Sequence, residues 1–395
     1  MRVPYVHLRE QYNRNKPLNK AIMADIERLF DDGQFTLGPF VDRFERAFEK
    51  KYNVKHCIGV SNGTDALTLS LVAMGFNKPS EYVAVPTNSF IASAGAVLQA
   101  GARVRFVDCD SNYLIDKQHA HRVPARCVMG VDLTGRPVRW DNNDNWLEGK
   151  RYIRDAAQAI GAEIDGVSIA NLGDAVCFSL HPLKNLNVPG DGGVVATNDD
   201  EIARKVRLLR NHGLYDRDTV EIAGFNHRLS SMQSIAAYHQ MMWEGVDGLD
   251  WVTERRIEVA QKYDAGLSTC PMIRLPKRDP RVKEVFHTYV VRAQRRDELV
   301  AFLKEREIES KVHYPIPIHM QPGYQVVHPT YESGGRFQLG DFPEAEQQAR
   351  EIISLPGHEY LSEAQIDYVV SSIKEFYGIK PRKISLTVGG ADTAH

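Results

Sequence analysis

The sequence predicts an α/β protein, with a mostly parallel sheet flanked by helices and then a smaller C-terminal α+β domain. Two observations carry that reading. Between about residues 56 and 196, apolar runs of strand length alternate with stretches of helical periodicity, the pattern of strands buried on both faces and connected by helices. After Pro271 the alternation gives way to a mixed order of one strand-like run and several helices.

Taken in order, Leu18, Ile22, Ile26, Leu29 and Phe30 recur at helical spacing up to Gly33, and Val41, Phe44, Phe48 and Tyr52 repeat the pattern. Two amphipathic helices therefore precede the first strand. Strands are predicted over 57–60, 82–85, 104–107, 127–131, 152–153, 176–178 and 194–196. Asp199 is a candidate cap for a helix over 201–209 that ends near Gly213, and a long helix is expected over 251–267. The domain boundary falls there: 1–250 forms a large domain, 251–380 a small one, and 381–395 a frayed tail of small polar residues without periodicity. Within the small domain, 287–291 reads as a strand, 296–305 as a helix, 315–322 as a Pro-rich loop, and 343–353 and 362–377 as helices.

The 49 basic and 51 acidic residues among 395 leave a net charge of −2, so no global field points to nucleic acid or an anionic membrane, and any anion must be held by a local site. Cys57, Cys109, Cys127, Cys177 and Cys270 are scattered, with no CxxC pair, and read as buried thiols in a reducing compartment; no metal site is expected. The start, Met1-Arg2-Val3-Pro4-Tyr5, lacks a signal-peptide core, and no apolar run approaches the ~20 residues that span a bilayer. A cytoplasmic protein is the expectation.

Three segments carry chemistry. Ser61-Asn62-Gly63-Thr64-Asp65-Ala66-Leu67 lies between a strand and a helix, which places Gly63 and Thr64 at a helix N-terminus; it is either an anion cradle or a plain capped turn. In Arg154-Asp155-Ala156-Ala157-Gln158-Ala159, Asp155 closes a strand at the edge where open α/β sheets bind ligands, as a partner for a protonated ring nitrogen or as a helix cap. In Cys177-Phe178-Ser179-Leu180-His181-Pro182-Leu183-Lys184-Asn185, a strand delivers Ser179 to the sheet edge, and Lys184 follows on a loop closed by Gly190-Asp191-Gly192-Gly193. A lysine becomes a nucleophile only when its pKa is lowered; alone, Lys184 reads as a solvated surface charge, and only the whole ordered set changes that reading.

The ordered set SNGTDAL, PTNSFIASA, RDAAQAIGA, CFSLHPLKN, GDGGVVATND and GFNHRLS resembles the DegT/DnrJ/EryC1/StrS family of sugar aminotransferases, fold-type I enzymes dependent on pyridoxal 5′-phosphate (PLP). The resemblance runs from Gly38-Pro39 to Ser354-Leu355-Pro356-Gly357-His358. It implies Lys184 as the Schiff-base lysine, Asp155 as the partner of the pyridinium nitrogen, Gln158 at the phenolic oxygen, Phe90 stacked on the ring, and Gly63, Thr64 and Ser179 around the phosphate. Asn226 matches a residue that the family contributes from the neighbouring subunit, so a homodimer with shared active sites is implied. The presence of Lys184, which dehydratase relatives replace by histidine, favours transamination.

What the resemblance implies is ping-pong transfer from L-glutamate, through the pyridoxamine 5′-phosphate form, to a keto sugar. The stretch from Lys311 to His319, with His313, Tyr314 and His319 on a chain stiffened by prolines, reads as a substrate wall or a rigid connection. That stretch and Gln34-Phe35-Thr36-Leu37-Gly38 are more similar to relatives that aminate carbon 3 of a nucleotide-linked hexose than carbon 4, which brings Phe35 into the expected site. Arg228 is a candidate for a substrate diphosphate or an interface ion pair. Departures at Asp132-Leu133-Thr134-Gly135, Asn142-Asn143-Asp144-Asn145 and Val188-Pro189 are expected near the sugar. A 4-keto sugar or keto-cyclitol acceptor, and a catalytically silent sensor of the same fold, are the alternatives.

Overall fold

The computed structural model describes residues 1–14, 16–139, 145–327 and 336–379. The predicted tail over 381–395 and most of the polar loop over 142–145 lie outside them. Helices α1 (Leu8–Arg14), α2 (Lys16–Asp32) and α3 (Pro39–Tyr52) lead to strand β1 (His56–Val60). Proline at its start, Asn53 in the left-handed region (φ 50°) at its end, and buried Val41, Phe44, Phe48 and Tyr52 define α3. Then follow α4 (Gly63–Ala73), β2 (Tyr82–Pro86), α5 (Ile91–Gln99), β3 (Arg103–Val107), α6 (Lys117–Arg122), β4 (Cys127–Val131) and β5 (Arg151–Asp155). A short hairpin, β6 (Glu163–Ile164) and β7 (Val167–Ser168), precedes β8 (Ala175–Ser179) and β9 (Gly193–Thr197). Helix α7 (Asp200–Leu209) is capped by Asp199, which accepts from the N–H groups of Glu201 at 2.9 Å and Ile202 at 3.1 Å.

Seven strands form one sheet in the order β1-β9-β8-β5-β4-β2-β3. The pairs β2–β3, β2–β4, β4–β5 and β5–β8 are parallel, whereas β9 runs antiparallel to both its neighbours. The predicted, mostly parallel sheet thus has one reversed strand, a direction that apolar periodicity does not encode. Helix α8 (Ser231–Met242), absent from the sequence reading, packs on α2 and α3, and α9 (Leu249–Leu267) follows.

The remaining elements are β10 (Ile273–Arg274), β11 (Val282–Lys283), β12 (Tyr289–Ala293), α10 (Arg296–Glu305), α11 (Pro322–Val327), α12 (Pro343–Glu351), β13 (Ile352–Leu355) and α13 (Glu363–Phe376). Strands β10, β12 and β13 make an antiparallel sheet. The spacing predicts a helix over 343–353. The chain instead turns extended at Ile352 (φ −70°, ψ 141°), where Ile352 and Ile353 pair with Arg292 and Val291 of β12. The core of this region gathers Val259, Tyr263, Leu267, Tyr289, Leu299 and Ile366 and also takes in Val3 from the far N-terminus.

Asp132 and Arg154 form a fully buried ion pair at the end of β4. Asp132 Oδ1 accepts from Arg154 Nη1 at 2.6 Å and from the Val138 N–H at 2.7 Å. Asp132→Ala would strand a buried guanidinium, so it is expected to cost about 3–5 kcal/mol. Urea unfolding measures this, and an unchanged midpoint would show that the pair contributes nothing.

Candidate active site

A cavity of about 710 Å³ sits at the sheet edge where β4, β5 and β8 end, its wall including Val131, Asp155 and Ser179 from those strand ends. Open α/β sheets bind ligands at this edge. A larger depression of about 880 Å³ between β10, β12 and α12 is lined by arginine–carboxylate pairs such as Arg295–Glu298 and brings no nucleophile to an acid–base partner, so the chemistry belongs to the smaller one.

Asp155 is 6% exposed. The Ser93 hydroxyl donates to its Oδ2 at 2.6 Å, with Ser89 hydrogen-bonded to Ser93 at 2.7 Å, and the Ala157 N–H donates to Oδ1 at 3.2 Å. Burial raises the Asp155 pKa above the usual carboxylate value, opposed by those two bonds and by the Lys184 charge. No helix follows Asp155; residues 156–160 turn instead, so the capping alternative has no helix to cap.

Lys184 lies on the loop between β8 and β9 and lines the same cavity. Its carbonyl accepts from Asn187 Nδ2 at 3.0 Å, and Asn187 is anchored by Gln11 at 3.1 Å, Tyr12 at 3.0 Å and Gln240 at 2.8 Å. The neighbouring Asn185 donates to the Val285 carbonyl at 2.8 Å. Burial draws the amine down to about 8, against the attraction of Asp155.

Gly63 and Thr64 open α4 at the cavity wall beside Ser179. Asn62 caps the helix by accepting from the Asp65 N–H at 2.8 Å. A side chain at Gly63 would place Cβ 2.8 Å from the Ser179 Cβ, and one at Gly193 would lie 2.3 Å from the Asn62 carbonyl oxygen. Only glycine at both positions lets the first turn of α4 press against the ends of β8 and β9, where its free N–H groups and the Thr64 and Ser179 hydroxyls suit an anion.

Phe90 and Tyr314 face each other at 5.5 Å between ring centroids, and both line the cavity. Burial pushes the Tyr314 phenol up to about 12, with the Asp155 charge adding to the shift. Gln158 Oε1 accepts from the Thr134 N–H at 2.7 Å. His313 shares a 2.9 Å hydrogen bond between Nδ1 and the Ser354 hydroxyl, and burial takes its imidazole down to about 4.

The other expectations lie elsewhere. His319 is not in the cavity wall: it is fully buried, with Nδ1 2.8 Å from the Thr87 hydroxyl and Nε2 3.3 Å from Glu346 Oε1, so both ring nitrogens are used in packing. Arg228 donates to Asn211 Oδ1 at 2.9 Å, Asn226 is exposed with its backbone bridged to Asn211, and Phe35 is half-exposed against Phe30; none lines the cavity. Of the departures expected near the sugar, Asp132 and Val188 are buried outside the cavity wall, and among the described residues only Leu133 reaches that wall.

Sequence reasoning missed Ser93, His181, Asp191 and His287, all at or beside this site. Ser93 stands within PTNSFIASA and was open to recognition as a carboxylate partner. His287 lay in an apparent strand run and gave no signal. Burial, with Lys184 and Arg256 nearby, holds His287 neutral, and its Nδ1 is buried with no hydrogen-bond partner among the described residues.

Residues 17–374 match the model of the DegT/DnrJ/EryC1/StrS aminotransferase family. The chain belongs to that family. It is 37% identical over 387 residues to a pleiotropic regulatory protein of Geobacillus stearothermophilus, covering 95% of this chain and 99% of that one. It is 34% identical over 387 residues to dTDP-3-amino-3,4,6-trideoxy-alpha-D-glucose transaminase of Streptomyces venezuelae, covering 95% and 96%. The X-ray structure of S. venezuelae DesV in complex with a ketimine intermediate matches with a TM-score of 0.86 at 35% identity, covering 95% and 98%. The fold is therefore that of the fold-type I sugar aminotransferases, and the family is PLP-dependent.

Two outcomes are expected. Gly63→Ala, which forces the 2.8 Å clash with Ser179, should weaken PLP binding about tenfold or more, an effect of at least one lost hydrogen bond to a charged group, with the fold retained by circular dichroism. In protein stripped of cofactor, Lys184 should react with an acylating reagent at a rate that rises with pH and is half-maximal at about 8, because the amine is protonated below that pH and free above it; a midpoint near that of an ordinary lysine would show an unperturbed amine.

Proposed function

We propose that this protein transfers an amino group from L-glutamate to a keto sugar, and that the acceptor is a nucleotide-linked 3-keto hexose. One observation carries the reading: the Lys184 amine and the Asp155 carboxylate share a cavity whose wall includes an open helix N-terminus. The name of the S. venezuelae transaminase supports amination at carbon 3.

The residues present fit PLP. Gly63 leaves the first turn of α4 open against Ser179, so Gly63, Thr64 and Ser179 would hold the phosphate. Asp155 would hold the ring nitrogen, Gln158 the phenolic oxygen, and Phe90 one face of the ring. The bound cofactor supplies an electron sink for the α-carbon of the donor. A buried carboxylate whose pKa is raised by burial gains from a cationic partner, so Asp155 would favour the protonated form of that nitrogen.

With its pKa near 8, Lys184 has about a tenth of its amine unprotonated at pH 7. Its Nζ can therefore accept the α-proton of glutamate and, in the second half-reaction, deliver a proton to the sugar carbon that carried the ketone. His313, neutral at working pH, and Tyr314 would form part of the sugar wall. Asn226 would reach the partner's phosphate site across the interface of a homodimer, Arg228 would meet a substrate diphosphate or make an interface ion pair, and Phe35 would act toward the substrate. A cytoplasmic location suits five buried thiols and, among the described residues, no helix long and apolar enough to cross a membrane. The regulatory name of the G. stearothermophilus relative gives no ground for a silent site here, since Lys184 and Asp155 both stand in the cavity.

Absorbance spectra with and without L-glutamate test this. The wild type should lose its visible band as a near-ultraviolet pyridoxamine band rises. Lys184→Ala should slow that conversion by about 10²–10⁴-fold, the scale of a lost acid–base catalyst. Thymidine- and uridine-linked 3-keto and 4-keto hexoses should then restore the visible band, the 3-keto sugars fastest; no response to any amino donor would sink the reading.

A further inference from the structure

We propose that Gln11 and Tyr12 of α1 are positioning residues for Lys184: they hold Asn187, Asn187 holds the Lys184 carbonyl, and the segment that carries them is fastened to the region of α10 and α13. The inference rests on the aminotransferase reading and deepens it, by assigning what keeps the amine in place.

The Lys184 backbone is held at both its polar groups. Its N–H donates to the His181 carbonyl at 2.8 Å, a bond that stays within the loop between β8 and β9. Its carbonyl accepts from Asn187 Nδ2 at 3.0 Å, and Asn187 carries the connection outward. The Asn187 N–H donates to Gln240 Oε1 of α8 at 2.8 Å. Its side chain meets α1: Gln11 Nε2 donates to Asn187 Oδ1 at 3.1 Å, Asn187 Nδ2 donates back to Gln11 Oε1 at 3.1 Å, and the Tyr12 hydroxyl lies 3.0 Å from Oδ1.

Counting donors fixes this arrangement. A carbonyl only accepts, so the Asn187 amide must turn its nitrogen toward Lys184, which leaves Oδ1 for Gln11 and Tyr12. Burial pushes the Tyr12 phenol up to about 12, so it keeps the proton it donates. The full hydrogen-bonding capacity of the Asn187 amide is then used, and Asn187 and Gln11 are only 4% and 5% exposed. Without Gln11, a buried donor and a buried acceptor are left unmatched, and the amide regains the freedom to turn away from Lys184.

The same segment is anchored at its other end. Val3, in the core of the region of α10 and α13, exchanges backbone hydrogen bonds with Glu307 at 2.9 Å and Glu309 at 3.0 Å. The Tyr5 N–H donates to Glu309 Oε2 at 2.9 Å, and His7 pairs at 3.0 Å with Glu359, which Arg256 also binds at 2.9 Å. Between Val3 and Tyr12 the chain therefore runs from that region to the lysine loop. A base that serves two carbon atoms in turn must be held within narrow limits, because a misplacement of about 1 Å costs on the order of 10²-fold. The backbone anchor sets where the lysine stem starts and how deeply its amine is buried.

Gln11→Leu keeps the bulk and removes both amide bonds, and Tyr12→Phe removes only a hydroxyl. In cofactor-free protein, acylation of Lys184 should be half-maximal at about pH 8 in the wild type. A loosened loop admits water to the amine, so Gln11→Leu should raise that midpoint by about one pH unit toward the ordinary lysine value, and Tyr12→Phe should raise it by less. In cofactor-loaded protein, Gln11→Leu should slow the glutamate and sugar half-reactions alike, by about tenfold, because Lys184 serves both; a contact to one substrate would change one of them only. The double variant Gln11→Leu/Asn187→Ala should be no slower than Asn187→Ala alone, as for groups acting in series. An unmoved midpoint in Gln11→Leu, with urea unfolding showing only lost stability, assigns these contacts to structure alone and overturns the inference. If Gln11→Leu does not fold, the midpoint of Tyr12→Phe decides in the same way. A wild type that aminates no sugar overturns the functional reading, while the acylation midpoint, read without turnover, still decides the inference.

Discussion

The site depends on a close approach of backbone to backbone. The first turn of α4 meets the ends of β8 and β9 without room for a Cβ at Gly63 or Gly193. That contact sets where the helix N-terminus stands relative to the loop carrying Lys184 and to the strand end carrying Asp155. A phosphate docked on the helix would have its ring placed by the same contact. The sheet register adds to this, since Asp155 pairs with both Val131 and Cys177.

Burial acts on the two charged groups in opposite senses, raising the carboxyl of Asp155 and lowering the amine of Lys184, so that both are drawn toward neutrality. Each is partly rescued by the other's charge. This balance makes a lysine usable as a base near neutral pH and makes a carboxylate bind a cation strongly. The same dryness keeps His287 and His313 uncharged, so the wall near the amine presents neutral hydrogen-bonding groups rather than competing cations.

Much of this was legible in the sequence where local pattern and chemistry coincide. The strands end at Ser179 and Asp155 as the apolar runs foretold, Asp199 caps its helix, and the helix over 296–305 has the predicted bounds. Legibility failed where a residue's partner is remote in sequence. His319 stands among prolines in what reads as a substrate loop, yet Thr87 and Glu346 draw both its nitrogens inward. The extended turn at Ile352 comes from pairing with β12, and no glycine or proline marks it before Pro356. Asp132 is expected near the sugar because its stretch departs from the family pattern, yet its carboxylate is spent on Arg154 of the neighbouring strand, a partner the local pattern does not show.

The reversal of β9 bears on how the lysine is mounted. Because β8 and β9 are antiparallel neighbours, with Ser179 opposite Gly193, the chain from 180 to 192 leaves the sheet and returns to it at the same rim. Lys184 rides on an arch with both feet bolted to the floor of the cavity, rather than on a crossover whose far end belongs to another part of the molecule. Such an arch can vary its crown while its footing, which includes the buried Val188 with its N–H on the Leu180 carbonyl at 2.9 Å, keeps the amine at a constant height above the sheet. A lineage can therefore retune the surroundings of its nucleophile by small edits along one short span, without disturbing the strands that aim it.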